Sequence, residues 1–264
     1  MGLGLNCPNL HEPSARVTPW GYAVAMTQLP IDTSFDYKTE PGSKVDPDRR
    51  SPTLRRHQQL LFSKPLPSGA MFDLVEQTSG SDLTLRHDSG LGSFELSSDT
   101  MLNSKKGPLK HFYDQMPVEE NAAWHRSSIG ARILFPCNQV NGKQTINQRR
   151  GTHPKIADRF DLTLETIRRH YVGESSPLAD DLARYSDFFA LFESFEGYVD
   201  FFLLNDLVKS EGTVKFFIPF ASFDNSPLPS TFDVYVLFWN AQIEFRDNRN
   251  ARIDEYQRMH FAQD

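Results

Sequence analysis

Residues 131–171 read ARILFPCNQVNGKQTINQRRGTHPKIADRFDLTLETIRRHY. Several textures follow one another here. Ile129 to Phe135 is a short run with strand character, ended by Pro136. Asn141-Gly142 is a turn pair. Lys143 to Gly151 is polar, ends in two arginines and reads as a loop. Thr152 suits the start of a short turn with Pro154 just inside. A helix is then expected to Tyr171, with Asp158 as its N-cap and Asp161 three residues on. Phe160, Leu164, Ile167 and Tyr171 recur at the spacing of one buried helix face. Asp161, Glu165 and Arg168 fall on the other side, and Glu165 with Arg169 makes a favourable i, i+4 pair.

The same stretch stands out by charge. Residues 132–171 carry eight basic and three acidic residues, net +5, within a 264-residue chain of net charge −6. Residues 1–131 are net −2 and residues 172–264 are net −9. A basic block in an acidic chain must fold against acids or face an anion.

Upstream of the block the pattern is turn-rich and then strand-like. Residues 27–58 hold Pro41-Gly42, Asp46-Pro47-Asp48 and four arginines (Arg49, Arg50, Arg55 and Arg56), which reads as an extended segment with a charged surface. From Gln59, short runs alternate with turns: Leu60 to Phe62, Met71 to Val75, Leu83 to His87 and Phe94 to Leu96. That spacing predicts an antiparallel meander of about four strands. Leu109 to Met116 suits a helical turn, and Trp124-His125 precedes the strand at Ile129.

Downstream the period changes to that of helices. Ser176-Pro177 is a start signal, followed by Leu178, Leu182, Tyr185 and Phe189 on one face. Gly197 to Val208 is apolar nearly all round and predicts a buried helix. Val214 to Phe220 returns to strand texture, and Phe232 to Tyr256 is helical, with Val234, Phe238, Ala241 and Phe245 sharing a face. Strands in the first half and helices in the second predict an α+β fold, an antiparallel sheet from the N-terminal half packed against helices from the C-terminal half. Pro8, Pro13 and Pro19 break any early helix, and Met26 reads as a natural start. Residues 1–26 are therefore expected to be a flexible extension to a single domain spanning 27–264.

Several function classes lose support. Cys7 and Cys137 lie far apart, which gives no disulfide framework and suits a reducing, cytoplasmic compartment. No Cys/His spacing fits a structural zinc site. Residues 1–25 lack the basic start and the apolar run of a signal peptide, so none is expected there, and the longest apolar runs, such as Phe201 to Leu204, are too short to span a bilayer. NGKQT contains GK but lacks the upstream glycine of a phosphate-binding P-loop, because Cys137 stands where it should be. No GxSxG elbow is present.

What remains is the block itself. Lys143, Asn147, Gln148, Arg149 and Arg150 offer forked donors for a phosphate or carboxylate. His153 and His170 are the acid–base candidates, with Glu165 to orient them or act as base. No metal is assigned; Asp158, Asp161 and Glu165 are the local carboxylates should one be used. The competing reading is that the arginines of the block pair with the acidic last third of the chain.

At GKQTINQRRGTHPKIADRFDLTLETIRRHY, FDYKTEPGSKVDPD and GYVDFFLLNDLV the chain resembles a bacterial family of unknown function. The similarity runs from about Ile31 to Ile253. It implies a cytoplasmic single-domain protein, and brings no catalytic residues or cofactor. The sequence thus leads to two expectations. One is an enzyme acting on a phosphate-bearing substrate, a nucleotide or short nucleic acid, through residues 143–153. The other is a non-catalytic protein whose basic block pairs internally or with a partner, which includes a second copy of the chain.

Overall fold

Ser51 and Pro52 begin the first long helix. The Ser51 hydroxyl accepts from the Leu54 amide at 3.0 Å and Pro52 occupies the first turn, where its missing N–H costs nothing. A computed structural model describes residues 31–79, 82–90, 92–102, 108–117 and 126–261. The expected extension at 1–26 and the pair Trp124-His125 lie outside the described residues.

Helix α1 spans Pro47–Arg50 and α2 spans Pro52–Phe62. This corrects the extended reading of residues 27–58 and the strand at Leu60 to Phe62. The buried set Leu54, Leu61 and Phe62 has helical spacing, which the neighbouring prolines and arginines masked. Arg55, expected on a charged surface, is fully buried.

Strands β1 (Lys64–Pro65) and β2 (Met71–Phe72) form a short ribbon. Strands β3 (Val75–Ser79), β4 (Asp82–Ser89), β5 (Gly92–Thr100) and β6 (Arg132–Pro136) form one antiparallel sheet in the order β3-β4-β5-β6. The meander is thus present, and the run at Met71 to Val75 is split between two sheets. The register pairs Leu85 with Leu96, and Ser98 with Leu134. Leu85, Phe94, Leu96 and Leu134 share the apolar face, and period two leaves Thr84, Glu95, Ser97 and Asp99 on the other. Before β6 the chain makes a 3-10 turn at Ile129–Ala131 instead of the expected strand start.

Helix α3 (Lys110–Tyr113) matches the helical turn expected there. Helices α4 (Ile146–Thr152) and α5 (Phe160–Tyr171) follow β6. The helix expected from Ser176 is two short ones, α6 (Ala179–Ala183) and α7 (Ser186–Ala190), because the chain turns at Tyr185. All four expected face residues, Leu178, Leu182, Tyr185 and Phe189, are still buried. Helix α8 (Phe195–Phe202) stops earlier than expected, at Leu203 in the left-handed region, and a 3-10 turn spans Asn205–Leu207. Val214 to Phe220 holds no strand; Val214 makes a single bridge to Val208. Helix α9 spans Phe232–His260, its 29 residues reaching about 44 Å at 1.5 Å per residue.

The fold is α+β, with strands in the N-terminal half and the long helix at the C-terminus. Helices α1 and α2 pack on β4, so the N-terminal half also supplies cover for the sheet. The C-terminal phenylalanines fill the core: Phe192, Tyr198, Phe201 and Phe202 contact one another, with ring centroids 4.8 to 5.3 Å apart. Gly130 lets α9 approach the strand that follows. A Cβ there would collide with the Arg246 carbonyl and the Asn250 amide, which instead accepts from the Gly130 N–H at 2.8 Å.

Candidate functional site

The segment expected to be a polar loop is helix α4. Thr145 caps it: its hydroxyl accepts from the Gln148 amide at 3.3 Å, and Gln148 Oε1 accepts from the Thr145 amide at 3.0 Å. Asn141 and Gly142, with φ of 55° and 67°, form the turn that the Asn-Gly pair announced. Asp158 does not cap α5. Arg159 stands at that N-cap, and the Asp158 carboxylate is turned to Arg150 at 3.1 Å. Ala157 and Asp158 both adopt left-handed backbone, at φ 48° and 65°, which costs about 1 kcal/mol for each non-glycine residue.

That strained turn completes a clamp around Arg150, whose side chain has 0 % exposure. Its guanidinium donates to the Asp99 carboxylate, to the carbonyls of Thr100 and Asp158 at 3.1 Å each, and to Thr163 Oγ1 at 3.3 Å. A parallel arrangement lies nearby, where buried Arg132 is paired with Asp48 and Ser127. The Asp48 carbonyl accepts from Arg55 at 2.7 Å.

Asp99 sits at the end of β5, above Arg150. Burial pushes its carboxyl group up to about 7; Arg150 opposes this, while the carboxylates of Asp48 and Asp158 add to it. The orientation of the Asn147 amide that satisfies both groups donates to both oxygens of Asp99, at 3.2 Å to Oδ1.

A cleft of about 450 Å³ opens here. Its floor is the polar face of the sheet, with Thr84, Glu95, Ser97 and Asp99; the first turn of α4 and the short helix α1 with Asp46 before it form walls. Five acids, Asp46, Asp48, Asp82, Glu95 and Asp99, line it against one arginine, Arg49, which pairs with Asp82 at 3.4 Å. Cys137 also lines it, and burial with the nearby Glu95 carboxylate pushes its thiol up to about 11, away from thiolate chemistry.

The structure divides the residues singled out from the sequence. Asn147 and Gln148 reach the cleft, and Arg150 lies beneath it. Lys143 is exposed. Arg149 turns away to Asp181 at 3.3 Å, and His153, its proton affinity lowered by burial and by Arg149, lies on that side. Glu165 is held between Arg168 and Arg169 at 2.8 Å each; burial opposes its charge, but these hydrogen bonds outweigh that and keep its carboxyl below the usual range. His170 packs on Phe189, with ring centroids 5.2 Å apart, and burial lowers its proton affinity. No hydrogen bond joins His153, Glu165 and His170. The three local carboxylates are likewise dispersed: Asp158 serves Arg150, Glu165 serves the α5 arginines, and Asp161 pairs with Arg159 and accepts from the Phe217 amide at 2.9 Å. Asp161 and Glu165 are buried, so α5 has no outward acidic face.

Asp99 and Asp48 were missed. The signal for Asp99 was the period of β5 itself: Glu95, Ser97 and Asp99 continue the polar alternation beyond Leu96, where the strand was expected to stop.

Fold and site together define an α+β protein with a carboxylate-lined cleft between a meander and a short capped helix. A family model described as a family of unknown function, DUF6994, matches residues 31–253, and the chain belongs to that family. No curated protein and no solved structure matches the chain.

Proposed function

We propose that this protein is an enzyme exchanging protons with a small polar substrate, uncharged or cationic, held in the cleft over β5. Asp99 is the acid–base group. The observation that carries this reading is one carboxyl group, sealed below by Arg150, open above to the cleft and pushed up to about 7. Such a group is ready both to give and to take a proton at neutral pH, the condition under which acid–base catalysis is most efficient. Asn147 fixes its orientation, and the hydroxyl of Ser97 offers a further contact for the substrate.

Phosphate-bearing substrates fit the geometry less well. Arg149 and Arg150, the donors such a substrate would need, already have carboxylate partners, and the cleft lining is richer in acids than in bases. A bacterial, cytoplasmic setting belongs to the same proposal; it suits the free Cys137 thiol and the family resemblance. Among the described residues no helix is long and apolar enough to cross a membrane.

The test is a thermal-shift panel of amines and amino acids, sugars and polyols, and nucleotides, on wild type, Asp99→Asn and Arg149→Ala. A ligand at about 100 times its Kd adds about 2.7 kcal/mol of stability. We expect an amine or polyol to raise Tm by several degrees in wild type and Arg149→Ala but not in Asp99→Asn. Turnover of a binding compound should inflect near pH 7 in wild type only. Shifts confined to nucleotides and lost in Arg149→Ala would return the basic segment as the site. A ligand bound but never turned over would make the cleft a binding site without catalysis.

A further inference from the structure

A second recess, of about 180 Å³, opens where β5 and β6 end. Arg132, the first residue of β6, lies in its wall beside Thr100, its cross-strand partner on β5. The Arg132 guanidinium is paired with Asp48 and donates to the Ser127 hydroxyl. Asp46 and Asp48 line this recess as they line the cleft. Lys38 and Arg126 bring two further cations to it. Arg126 is exposed; it donates to the Ser34 carbonyl at 2.7 Å, and no described carboxylate pairs with it. The Arg132–Asp48 pair is incomplete on both sides. Arg132 Nε and Asp48 Oδ1 are buried, and neither has a hydrogen-bond partner. Arg132 is 4 % exposed, so bulk water does little to supply the acceptor it lacks.

We propose that this recess binds a small α-amino acid as its zwitterion. The site is separate from the acid–base reading of Asp99 and does not depend on it. Its wall carries charges of both signs close together. A simple anion would be drawn to Arg126 and Lys38 but would also meet Asp46 and Asp48, and a simple amine would meet the reverse. A zwitterion laid against the Arg132–Asp48 pair sets carboxylate beside guanidinium and ammonium beside carboxylate, so each charge faces its opposite. Its carboxylate is the acceptor that Arg132 Nε lacks, and its ammonium is the donor that Asp48 Oδ1 lacks. The exposed Arg126 adds a planar fork of donors for the same carboxylate. The volume sets the size. About 180 Å³ is room for about six water molecules at about 30 Å³ each, enough for alanine or serine. Leu102 and Ala131 offer a short side chain an apolar wall.

The experiment titrates the full chain, labelled with nitrogen-15, with L-alanine at constant ionic strength and follows the backbone amide signals by NMR. The amides of Ser127, Ala131 and Arg132 should shift, and those of Glu95 and Ser97 in the cleft should not. Alaninamide, which lacks the carboxylate, and N-acetylalanine, which lacks the ammonium, should each bind about tenfold more weakly or worse, since each loses hydrogen bonds to a charged group. Arg126→Gln changes an exposed side chain, keeps the fold by circular dichroism and should weaken alanine about tenfold. Asp99→Asn should bind alanine as wild type does. Shifts at Glu95 and Ser97 that vanish in Asp99→Asn would seat the amino acid in the cleft; they would uphold the reading of Asp99 and overturn this one. N-acetylalanine binding as tightly as alanine would reduce the recess to an anion patch. No shift with any of the three compounds would mean that water alone meets Arg132 Nε and Asp48 Oδ1, and the proposal would fall.

Discussion

Arg150 and Arg249 are both wholly buried, and each holds together segments distant in sequence. Their partners differ. Arg249, on α9, donates only to backbone carbonyls: Phe202, Ile129, Gly130 and Arg132, at 2.8 to 3.2 Å. Arg150, on α4, donates to the carboxylates of Asp99 and Asp158 as well as to carbonyls. Carbonyls do not titrate, so the groups that Arg249 holds keep one charge state and serve the fold. Carboxylates do, and one of those around Arg150 faces a cleft. A buried arginine thus marks a joint in one place and a proton-exchanging group in the other, and the protonation of its partners decides which.

The largest expected effect breaks the joint. Arg249→Met leaves four backbone carbonyls without this donor, at about 1–3 kcal/mol for each group left unsatisfied. With some relaxation the loss should be about 4 kcal/mol in a urea titration. Between pH 5 and 8 it should vary less than the loss in Arg150→Met, because the groups left without a donor are carbonyls and Arg249 itself, lowered by burial to about 9, remains charged; the nearby Lys64, lowered to about 7 by burial and then by Arg249, is the titrating group that contributes. Arg150→Met should cost about 3 kcal/mol at pH 8, where two carboxylates lose their buried partner. Its cost should fall at pH 5 as Asp99 takes up a proton. Equal pH dependence in the two variants would dissolve the contrast.

Asp99→Asn sharpens it. The folded carboxyl group, at about 7, lies above its ordinary value of about 3.9. Folding therefore favours the protonated form. The stability this contributes is full below the unfolded pKa and is lost as pH rises from 4 through 7. Wild type should thus lose about 2–3 kcal/mol from this group between pH 5 and 8, and Asp99→Asn should lose that slope. Urea midpoints at the two pH values decide it; an unchanged slope would place the titration elsewhere.

The same contrast explains what could be read from the sequence. The meander was legible because alternation at Leu83 to His87 and the intervening turns are local signals, and α9 because its face repeats at helical spacing. Arg249 was not, since its partners are carbonyls, which every residue carries. Asp99 was not either: its partner Arg150, and Asp158 that shares this partner, come from another part of the chain, and only folding sets them around one carboxyl group. Helix α4 was misread for a different reason. Apart from Ile146 it has no apolar residue to show a period, and Gly151 lies inside it. Its start signal, Thr145 with Gln148 three positions on, was present but had no hydrophobic run behind it.

That cap yields the smallest and most local of the expected effects. Thr145→Ala removes the hydroxyl that receives the Gln148 amide and should cost about 1 kcal/mol, whereas Thr145→Ser should cost far less. A residue in an unstructured loop would give no such difference. The consequence extends to the cleft, because the capped turn carries Asn147, whose amide orients Asp99. With the cap gone, hydrogen exchange at Gln148 and Arg149 should accelerate about fivefold, since about 1 kcal/mol less protects the opening of that turn. Exchange at the amides of β5 should stay unchanged. Faster exchange along β5 as well would mean that the cap supports the sheet and not only the wall of the cleft, which would move α4 to the same side of the comparison as Arg249.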